Sequence, residues 1–256
     1  MNTDTTQMKR KAKKNPSLKA VVPISGGMDS SVLLHLAASK YDKIIAVNYD
    51  YGQKHRDKEI NCASFQIESI DMPVDSQHIK LPFFKDICQV SSLLNSKVAV
   101  AKAKDVMGDP QTVNYVPYRN LMLLSISLAI AENYGASTVF HGAAQADSVA
   151  GFWDGSEEFL EQINNVSALN RRNKIVVEAP LIDKSKEEII KLGIKLNVDF
   201  SQTWTCYEGE EKACGECTAC SLRIKGFLDA GYIDPLPYKI NLPWAKYNCK
   251  PIGRRN

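Results

Sequence analysis

The sequence contains no apolar stretch long enough to cross a lipid bilayer. The longest apolar run, Leu121 to Ala131, is interrupted by serines, and a membrane helix needs about 20 apolar residues. No apolar core of a secretion signal follows the N-terminus, so we expect a cytoplasmic protein without a membrane partner. Internal repeats and low-complexity linkers are also missing, and the composition of 44% hydrophobic and 24% charged residues is that of an ordinary globular protein.

A strong excess of one charge is missing as well. The formal net charge is only +3, and much of it lies in Lys9–Lys14, before the first predicted strand. Such a cluster predicts a basic, flexible, solvated tail over residues 1–17. A nucleic-acid-binding arm is the alternative, although no aromatic residues that stack on bases are interleaved with the charges.

Two widespread phosphate-binding motifs, Gly-x-x-x-x-Gly-Lys-[Ser/Thr] and Gly-x-Gly-x-x-Gly, do not mark this sequence. Instead, the segment Ser25-Gly26-Gly27-Met28-Asp29-Ser30-Ser31 follows directly on an apolar run from Leu18 to Ile24. Two glycines allow a tight turn, and the amides that open the next helix point towards an anion. The segment therefore predicts a phosphate-binding loop, and a capped Gly-Gly turn without a ligand is the alternative.

Apolar β-branched runs alternate with stretches of helical period, which predicts an α/β fold with a Rossmann-like parallel sheet and helices on both faces. We expect this domain over residues 18–200, and a zinc-binding segment, a helix and a C-terminal tail packed on it over 201–256. Residues 82–117 show a weak pattern, with room for one short helix at most. The expected strands are Lys19–Ile24, Lys43–Asn48, Gln77–Leu81, Thr138–His141 and Lys174–Glu178, and the expected helices are Ser30–Ser39, Arg56–Ile70, Arg119–Tyr134, Ser156–Leu169 and Lys186–Leu196.

Four of the seven cysteines lie within fifteen residues, at Cys206, Cys214, Cys217 and Cys220. Four thiolates at such short spacings are typical of a closed, structural Zn²⁺ site. An iron–sulfur cluster, which also takes four thiolates, is the alternative. Disulfides are disfavoured because a cytoplasmic protein is kept reduced.

The loop pattern Ser-Gly-Gly-x-Asp-Ser resembles that of the PP-loop ATP pyrophosphatases, which split ATP into AMP and pyrophosphate. Four further stretches are similar to one branch of that superfamily, the 7-cyano-7-deazaguanine synthases. They are Asp50-Tyr51-Gly52-Gln53-Lys54-His55, Tyr115-Val116-Pro117-Tyr118-Arg119-Asn120, Pro180-Leu181-Ile182-Asp183-Lys184-Ser185-Lys186, and Thr203-Trp204-Thr205-Cys206-Tyr207 with the later cysteines and Arg223. The resemblance covers about residues 19 to 230, in order.

The resemblance implies an ATP- and Mg²⁺-dependent ligase, active as a homodimer, that converts 7-carboxy-7-deazaguanine and ammonia into a nitrile through an acyl-adenylate and an amide. It implies catalytic roles for Asp29, which shapes the loop or holds Mg²⁺, and for Arg119 and Lys186, for which an exposed salt bridge or helix face is the alternative. It assigns ATP binding to Ser25, Gly26, Gly27, Asp29, Ser30, Ser31, Asp50, Tyr51, Gln53, Lys54, His55 and Lys186. It assigns substrate binding to Tyr115, Arg119, Asn120, Asp147, Phe152, Trp153 and Asp154, with Phe152 or Trp153 stacking on the base.

The substrate loop departs from the family pattern Asp-x-Ser-Gly-Tyr-Pro-Asp-Cys. It has one extra residue between Asp147 and Gly151, Trp153 in place of proline, and Gly155 in place of cysteine. A second hypothesis therefore keeps the adenylation but ends at the amide, or couples the deazaguanine to another amine, such as one on a protein. More remote alternatives are a tRNA-thiolating enzyme and a non-enzymatic zinc module that binds nucleic acid. His35, His78 and His141 are interpreted as structural.

Overall fold

A computed structural model of the protein describes residues 18–106, 108–109, 112–149 and 152–253. The tail predicted over residues 1–17, and the pair Ala150-Gly151 in the substrate loop, lie outside the described residues. No helix in the part of the chain that the structure describes is long and apolar enough to cross a membrane.

Five parallel strands form one sheet in the order β3-β2-β1-β4-β5. The strands are β1 Lys19–Pro23, β2 Lys43–Asp50, β3 Val74–Lys80, β4 Thr138–Phe140 and β5 Val176–Glu178. The middle residues of β1, from Ala20 to Val22, are completely buried, as expected for a central strand covered on both faces. The predicted parallel α/β fold is confirmed.

The helices connect these strands and cover both faces of the sheet. They are α1 Met28–Ala38, α2 Arg56–Glu68, α3 Phe84–Ile87, α4 Ala103–Val106, α5 Arg119–Tyr134, α6 Gln145–Val149, α7 Glu157–Ser167, α8 Lys186–Lys195 and α9 Thr218–Ala230. Val22 packs on one face with apolar residues of α1, α8 and α9. Val21 packs on the other face with residues of α5 and α7.

Several element boundaries differ from the sequence-based expectation. Strand β3 begins at Val74, three residues early, and α1 begins at Met28, so that the helix takes in Asp29. Residues 82–117 contain two four-residue helices, α3 and α4, where at most one was expected. Short helices escape periodicity arguments because four residues make only about one turn.

Helix α8 begins with a capping box. The Ser185 hydroxyl accepts a hydrogen bond from the Glu188 amide, and the Glu188 carboxylate accepts one from the Ser185 amide. This cap fixes the start of α8, and therefore the position of Lys186 in its first turn.

The strand order places the functional loops at one edge of the sheet. The chain runs outward from β1 through β2 to β3, then crosses back to β4 on the other side of β1. In open α/β sheets, ligands bind where the connections reverse direction, beyond the carboxyl ends of the strands. Here this switch point lies between β1, which leads into the Ser25–Ser31 loop, and β4, which leads into the substrate loop.

Candidate active site

The segment after β1 forms a tight turn whose hydroxyl groups bond to one another. The Oγ atoms of Ser25 and Ser30 lie 3.0 Å apart, and the Gly27 amide donates to Ser25 Oγ over 3.2 Å. Gly26 has φ +74°, and a Cβ there would lie 2.6 Å from the backbone nitrogen of Ala63 in α2. Only glycine fits at this position, because both the left-handed conformation and the close backbone exclude a side chain.

Asp29 and Lys186 face each other across the opening of the loop. Lys186 Nζ donates to Asp29 Oδ2 over 2.8 Å, joining the first turn of α1 to the first turn of α8. Burial disfavours the charged ammonium group, but the carboxylates of Asp29 and Asp147 outweigh it and raise the pKa of Lys186. Lys186 is therefore a buried cation at neutral pH, at the place where the sequence predicts a phosphate.

Arg119 opens α5 and enters the same space from the opposite side of the sheet. Its Nη1 donates to the Tyr51 hydroxyl over 3.3 Å, and its Nε donates to Asn120 Oδ1 over 3.3 Å. Burial opposes the charge, yet neighbouring acidic groups, Asp154 among them, raise the pKa of Arg119. Arg119 forms no ion pair among the described residues, and its contacts lie within the site, so its role in catalysis stays a prediction.

The substrate loop contributes two carboxylates. Asp147 Oδ2 accepts a hydrogen bond from the Ala144 amide over 2.9 Å. Burial raises the pKa of the Asp154 carboxyl, and the positive charge of Arg119 opposes that shift. Asp154 is only 5% exposed, so this carboxyl lies in a medium where hydrogen bonds to a ligand are strong.

His141, interpreted from the sequence as structural, directly follows β4 and lies beside these carboxylates. Its Nε2 lies 2.8 Å from the backbone carbonyl of Asp154. Since a carbonyl only accepts, Nε2 carries the proton. Burial lowers the pKa of His141, so the ring is neutral at pH 7 and its Nδ1 is an acceptor.

These groups line one cavity of about 340 Å³, within the usual range for a small-molecule site. Residues to which the sequence assigns a role and which line it are Ser25, Gly27, Asp29, Ser30, Tyr51, His55, Tyr115, Arg119, Asn120, Asp147, Phe152, Asp154 and Lys186. The cavity therefore brings the predicted phosphate loop and the predicted substrate loop together in one space.

Three residues of the Asp50–His55 motif do not line the cavity. The Asp50 carboxylate accepts from the Gly52 amide at 2.9 Å and shapes the turn after β2. Gln53 is buried and donates to the Glu59 carboxylate at 2.6 Å, while Lys54 Nζ donates to the Val98 carbonyl at 2.8 Å. The contacts of these residues hold the loop in shape, and their role in ATP binding stays a prediction.

Gly26, Ser31 and Trp153 also lie outside the lining of the cavity. Gly26 supports the loop from behind, against α2, and the buried Ser31 hydroxyl has no hydrogen-bond partner within the described ranges. Trp153 is 41% exposed and its indole Nε1 donates to the Tyr115 hydroxyl over 3.1 Å. Trp153 therefore packs behind a cavity wall, so that of the two aromatic residues only Phe152 reaches the lining.

The segment of residues 203–207 forms a wall that the sequence analysis did not assign to the cavity. Trp204, Thr205 and Tyr207 line it, and the Trp204 amide donates to the Gly26 carbonyl over 2.9 Å. The Tyr207 carbonyl bonds to His55 Nδ1 over 3.2 Å. In the sequence these residues flank Cys206, which indicates a place beside the metal site and gives no sign of contact with the phosphate loop.

The four cysteines converge immediately behind this wall. The sulfur atoms of Cys206, Cys214, Cys217 and Cys220 all lie within 4.8 Å of one another. The Cys214 amide donates to the Cys206 sulfur at 3.3 Å, and the Cys217 amide donates to the Cys214 sulfur at 3.3 Å. Such amide donors stabilise thiolates, so the cluster is able to bind a metal ion.

Arg223 is fully buried and contacts the wall formed by residues 203–207. It forms a two-pronged ion pair with Asp234, with Nε–Oδ2 at 2.7 Å and Nη2–Oδ1 at 2.9 Å. Its Nη1 also donates to the hydroxyls of Thr203 and Thr205. Arg223 therefore has its own carboxylate partner and braces the 203–207 segment.

Comparison with known proteins agrees with this arrangement. The family described as "Queuosine biosynthesis protein QueC" matches residues 19–231. The chain belongs to the QueC family. A 7-cyano-7-deazaguanine synthase from a Nitratiruptor species is 41% identical over 226 residues, which cover 87% of this chain and 99% of that protein. Another from Thermoplasma volcanium is 38% identical over 248 residues, 93% of this chain and 99% of that protein.

Among solved structures, the NMN synthetase from Francisella tularensis aligns with 91% of this chain and 83% of its own, at 15% identity and a TM-score of 0.46. That likeness is too weak to support an argument. The QueC family predicted from the motifs is thus confirmed by the sequence relatives, and all the residues that line the cavity lie within the matched range.

Proposed function

We propose that this QueC-family protein converts 7-carboxy-7-deazaguanine and ammonia into 7-cyano-7-deazaguanine, using ATP twice and releasing AMP and pyrophosphate each time. The curated relatives that match nearly their whole length are named 7-cyano-7-deazaguanine synthase. The observation that carries the proposal is the single cavity shared by the Ser25–Ser30 loop, Arg119, Lys186 and the carboxylates of the substrate loop.

In the first activation, a carboxylate oxygen of the substrate attacks the α-phosphorus of ATP, and pyrophosphate leaves. Charge grows on the leaving pyrophosphate, so donors fixed before the reaction stabilise the transition state. The Ser25–Ser30 loop supplies hydroxyl and amide donors, and the Lys186 ammonium supplies a buried positive charge. The protein mainly positions the two reactants, which is the larger part of phosphoryl-group chemistry.

Ammonia then displaces AMP from the acyl-adenylate to give the amide. A second ATP adenylates the amide oxygen, and loss of AMP and protons leaves the nitrile. Both activations use the same geometry, because the oxygen that attacks belongs in each case to the group at C7. Arg119 fits beside that group, since within the described ranges its guanidinium donates only to the Tyr51 hydroxyl and to Asn120, and it offers further N–H donors.

The residues present suit a Mg²⁺ ion, which would be held beside the phosphate loop. Asp29 Oδ1 is buried and has no hydrogen-bond partner among the described residues, while Oδ2 is held by Lys186. A carboxylate oxygen left without a partner costs free energy unless a ligand satisfies it, and Mg²⁺ is bound by one or two carboxylates with substrate phosphates. The ion would neutralise phosphate charge, with Asp29 as its protein ligand.

The cysteine cluster suits one Zn²⁺ ion better than an iron–sulfur cluster. Four sulfurs at about 2.3 Å from a central zinc lie a little under 4 Å apart, and Cys214 and Cys220 have their sulfurs 3.9 Å apart. An Fe₄S₄ core needs wider separation, because it places four irons and four sulfides between the thiolates. Zinc closed by four thiolates is structural, and it would hold the 203–207 wall in place.

Tight packing in the substrate loop favours a second candidate function, adenylation without nitrile formation. A Cβ on Gly155 would lie 2.6 Å from the Cβ of Asp147, so the cysteine of the family pattern does not fit in this loop. A reaction that ends at the amide, or couples the deazaguanine to another amine, fits an altered substrate loop. In both candidates the ATP chemistry is the same.

The remoter alternatives find less support. Thiolation of tRNA needs a reactive cysteine near the ATP loop, and Cys62 does lie against Gly26. Burial raises the pKa of the Cys62 thiol to about 11, so it carries almost no thiolate at neutral pH. The hypothesis of a nucleic-acid-binding zinc module does not explain why Arg119 and Lys186 line a cavity.

The reaction products test the proposal directly. The full-length protein is incubated with Mg-ATP, 7-carboxy-7-deazaguanine and ammonium, and the products are identified by mass spectrometry. Nitrile formation adds one ammonia and removes two waters, whereas amide formation removes one. We expect the nitrile, with two AMP per molecule. The amide alone, or a protein conjugate, would select the second candidate, and ADP in place of AMP would refute both.

A further inference from the structure

Four aromatic residues from two separate segments meet at the wall of the cavity. Tyr115 and Tyr118 precede α5, and Phe152 and Trp153 follow α6. The rings of Tyr115 and Phe152 are nearly parallel, with an interplanar angle of 19° and their centres 6.2 Å apart. Both residues line the cavity, whereas Tyr118 and Trp153 pack outside it.

The two rings face each other nearly in parallel, with their centres 6.2 Å apart. A ring inserted between two others needs about 7 Å between their planes, twice the contact distance of about 3.5 Å between carbon atoms. Because the gap between the planes is at most the distance between the centres, Tyr115 and Phe152 have to move apart by at least about 1 Å to hold a flat ligand. A flat ring placed there would also share the cavity with the Asp154 carboxylate and with His141.

Trp153 contacts this pair from outside the cavity. The Tyr115 hydroxyl accepts two hydrogen bonds, from Trp153 Nε1 and from the Tyr118 amide, both at 3.1 Å. The Trp153 ring packs edge-on against Tyr118 at 5.3 Å and Phe159 at 5.2 Å. These contacts tie the substrate loop to the start of α5, where Arg119 is placed.

The backbone of Tyr118 supports the same interpretation. Its φ is +52°, a left-handed conformation that residues with a side chain disfavour. In this conformation its amide reaches the Tyr115 hydroxyl, and its ring lies against Trp153. The surrounding contacts thus hold an unfavourable backbone conformation at the edge of the cavity, as is common where a site is shaped.

We propose that Tyr115 and Phe152 form an aromatic slot that holds the flat deazaguanine ring, and that Trp153 is the positioning residue that fixes the slot through the Tyr115 hydroxyl. This inference rests on the function proposed above, because it specifies how that substrate is bound. It also assigns a purpose to the tryptophan that replaces the family's proline. The slot provides stacking, and the polar groups at its edge read the substituents of the ring.

Ligand binding tests the slot separately from turnover. Dissociation constants of 7-carboxy-7-deazaguanine, guanine and α,β-methylene-ATP are measured by titration calorimetry on the full chain. Phe152→Leu keeps an apolar side chain but removes the ring, and it should weaken binding of the flat base about 5- to 150-fold, the usual range for a lost stacking partner. Affinity for the ATP analogue should not change.

The positioning role of Trp153 is tested by a double-mutant cycle. Trp153→Phe removes the N–H donor, Tyr115→Phe removes the hydroxyl acceptor, and both keep an aromatic ring. Because both changes break the same hydrogen bond, the double variant should bind the base about as weakly as the worse single variant, rather than with the product of the two losses. Phe65→Leu, an exposed aromatic residue of α2 outside the cavity, is the matched control.

Each outcome decides between the claims. If Phe152→Leu binds the base like the wild type, or loses base and ATP analogue alike, the slot is refuted. If the two losses multiply, Trp153 does not act through Tyr115. Should the wild type bind guanine but not 7-carboxy-7-deazaguanine, and Phe152→Leu lose guanine, the slot stands and the proposed substrate falls. If the wild type binds neither base, both proposals fail.

Discussion

The two loops at the edge of the sheet are held in different ways. The Ser25–Ser31 loop is fixed by backbone: Gly26 is packed against the backbone of α2, and its carbonyl is bonded to the Trp204 amide. The substrate loop is fixed mainly by side chains, with stacked rings between Phe152 and Tyr115 and a hydrogen bond from the Trp153 indole.

This difference matches how the two loops relate to the family pattern. The ATP loop keeps every residue of the Ser-Gly-Gly-x-Asp-Ser pattern, whereas the substrate loop has an inserted residue and two replacements. A site fixed by backbone crowding tolerates almost no side-chain change, while a site fixed by side chains is able to exchange one set of contacts for another. In this chain the loop proposed to bind ATP therefore keeps the family pattern, and the loop proposed to bind the substrate departs from it.

The strongest test of the backbone-fixed loop is Gly26→Ala. The new Cβ would lie 2.6 Å from the Ala63 nitrogen, at a left-handed φ. Together these effects should cost about 2–5 kcal/mol of unfolding free energy and abolish binding of ATP. Thermal unfolding and nucleotide titration measure both. Gly253→Ala, at a position with open space around it, is the control, and a Gly26→Ala protein with normal ATP affinity would refute backbone fixation.

Next in size is the loss of the buried charge. Lys186→Met removes the partner of Asp29 and the cation beside the phosphate loop. We expect kcat to fall about 100-fold or more, as when other fixed donors to a transition state are removed. Lys184→Met, two residues earlier in an exposed pair with Asp183, should leave steady-state kinetics near the wild-type values. If kcat falls equally in the two variants, the loss reflects the total charge of the protein and not the position of Lys186.

Metal removal tests whether the 203–207 wall supports the ATP loop from outside. Cys214→Ser should lower the bound zinc measured by elemental analysis. Because the Trp204 amide then loses its fixed position against Gly26, ATP affinity should fall about 10-fold, the equivalent of one hydrogen bond. Cys249→Ser, outside the cluster, is the control. If the zinc-free protein binds ATP with wild-type affinity, the metal site does not support the ATP loop.

The smallest expected effect comes from restoring a family residue in the substrate loop. Gly155→Cys places a side chain against Asp147, and it should raise KM for the deazaguanine substrate about 10-fold through overpacking. KM for ATP should stay the same. Deleting Ser148 in the same variant restores the family spacing and should recover part of the loss. An increase in both KM values would show that the loops are not independent.

The sequence predicted those parts of the site whose residues are neighbours along the chain. The glycine pair and the cysteine spacing are local patterns, and each forms its structure from adjacent residues. Tyr207 and Trp204 escaped prediction because their partners, His55 and Gly26, are more than 150 residues away. Such contacts follow from the packing of the whole sheet and have no local signal.

The direction in which a side chain points was the other feature that the sequence did not predict. Phe152 and Trp153 are neighbours and both aromatic, so the sequence allowed either to stack on the base. The structure turns only Phe152 to the cavity, because Trp153 packs on Phe159 and Tyr118. The Asp50–His55 motif was treated as one unit, yet His55 lines the cavity while Gln53 turns to Glu59.

The ion pair between Arg223 and Asp234 has a consequence for how the protein is made. The Ser25–Ser31 loop is synthesised about 200 residues before Asp234, whose carboxylate holds the Arg223 side chain that braces the 203–207 wall. A nascent chain thus completes the wall against this loop only after residue 234 has been added. Fragments that stop short of that aspartate leave a buried guanidinium unpaired, and they should be recognised by the cell as unfinished protein.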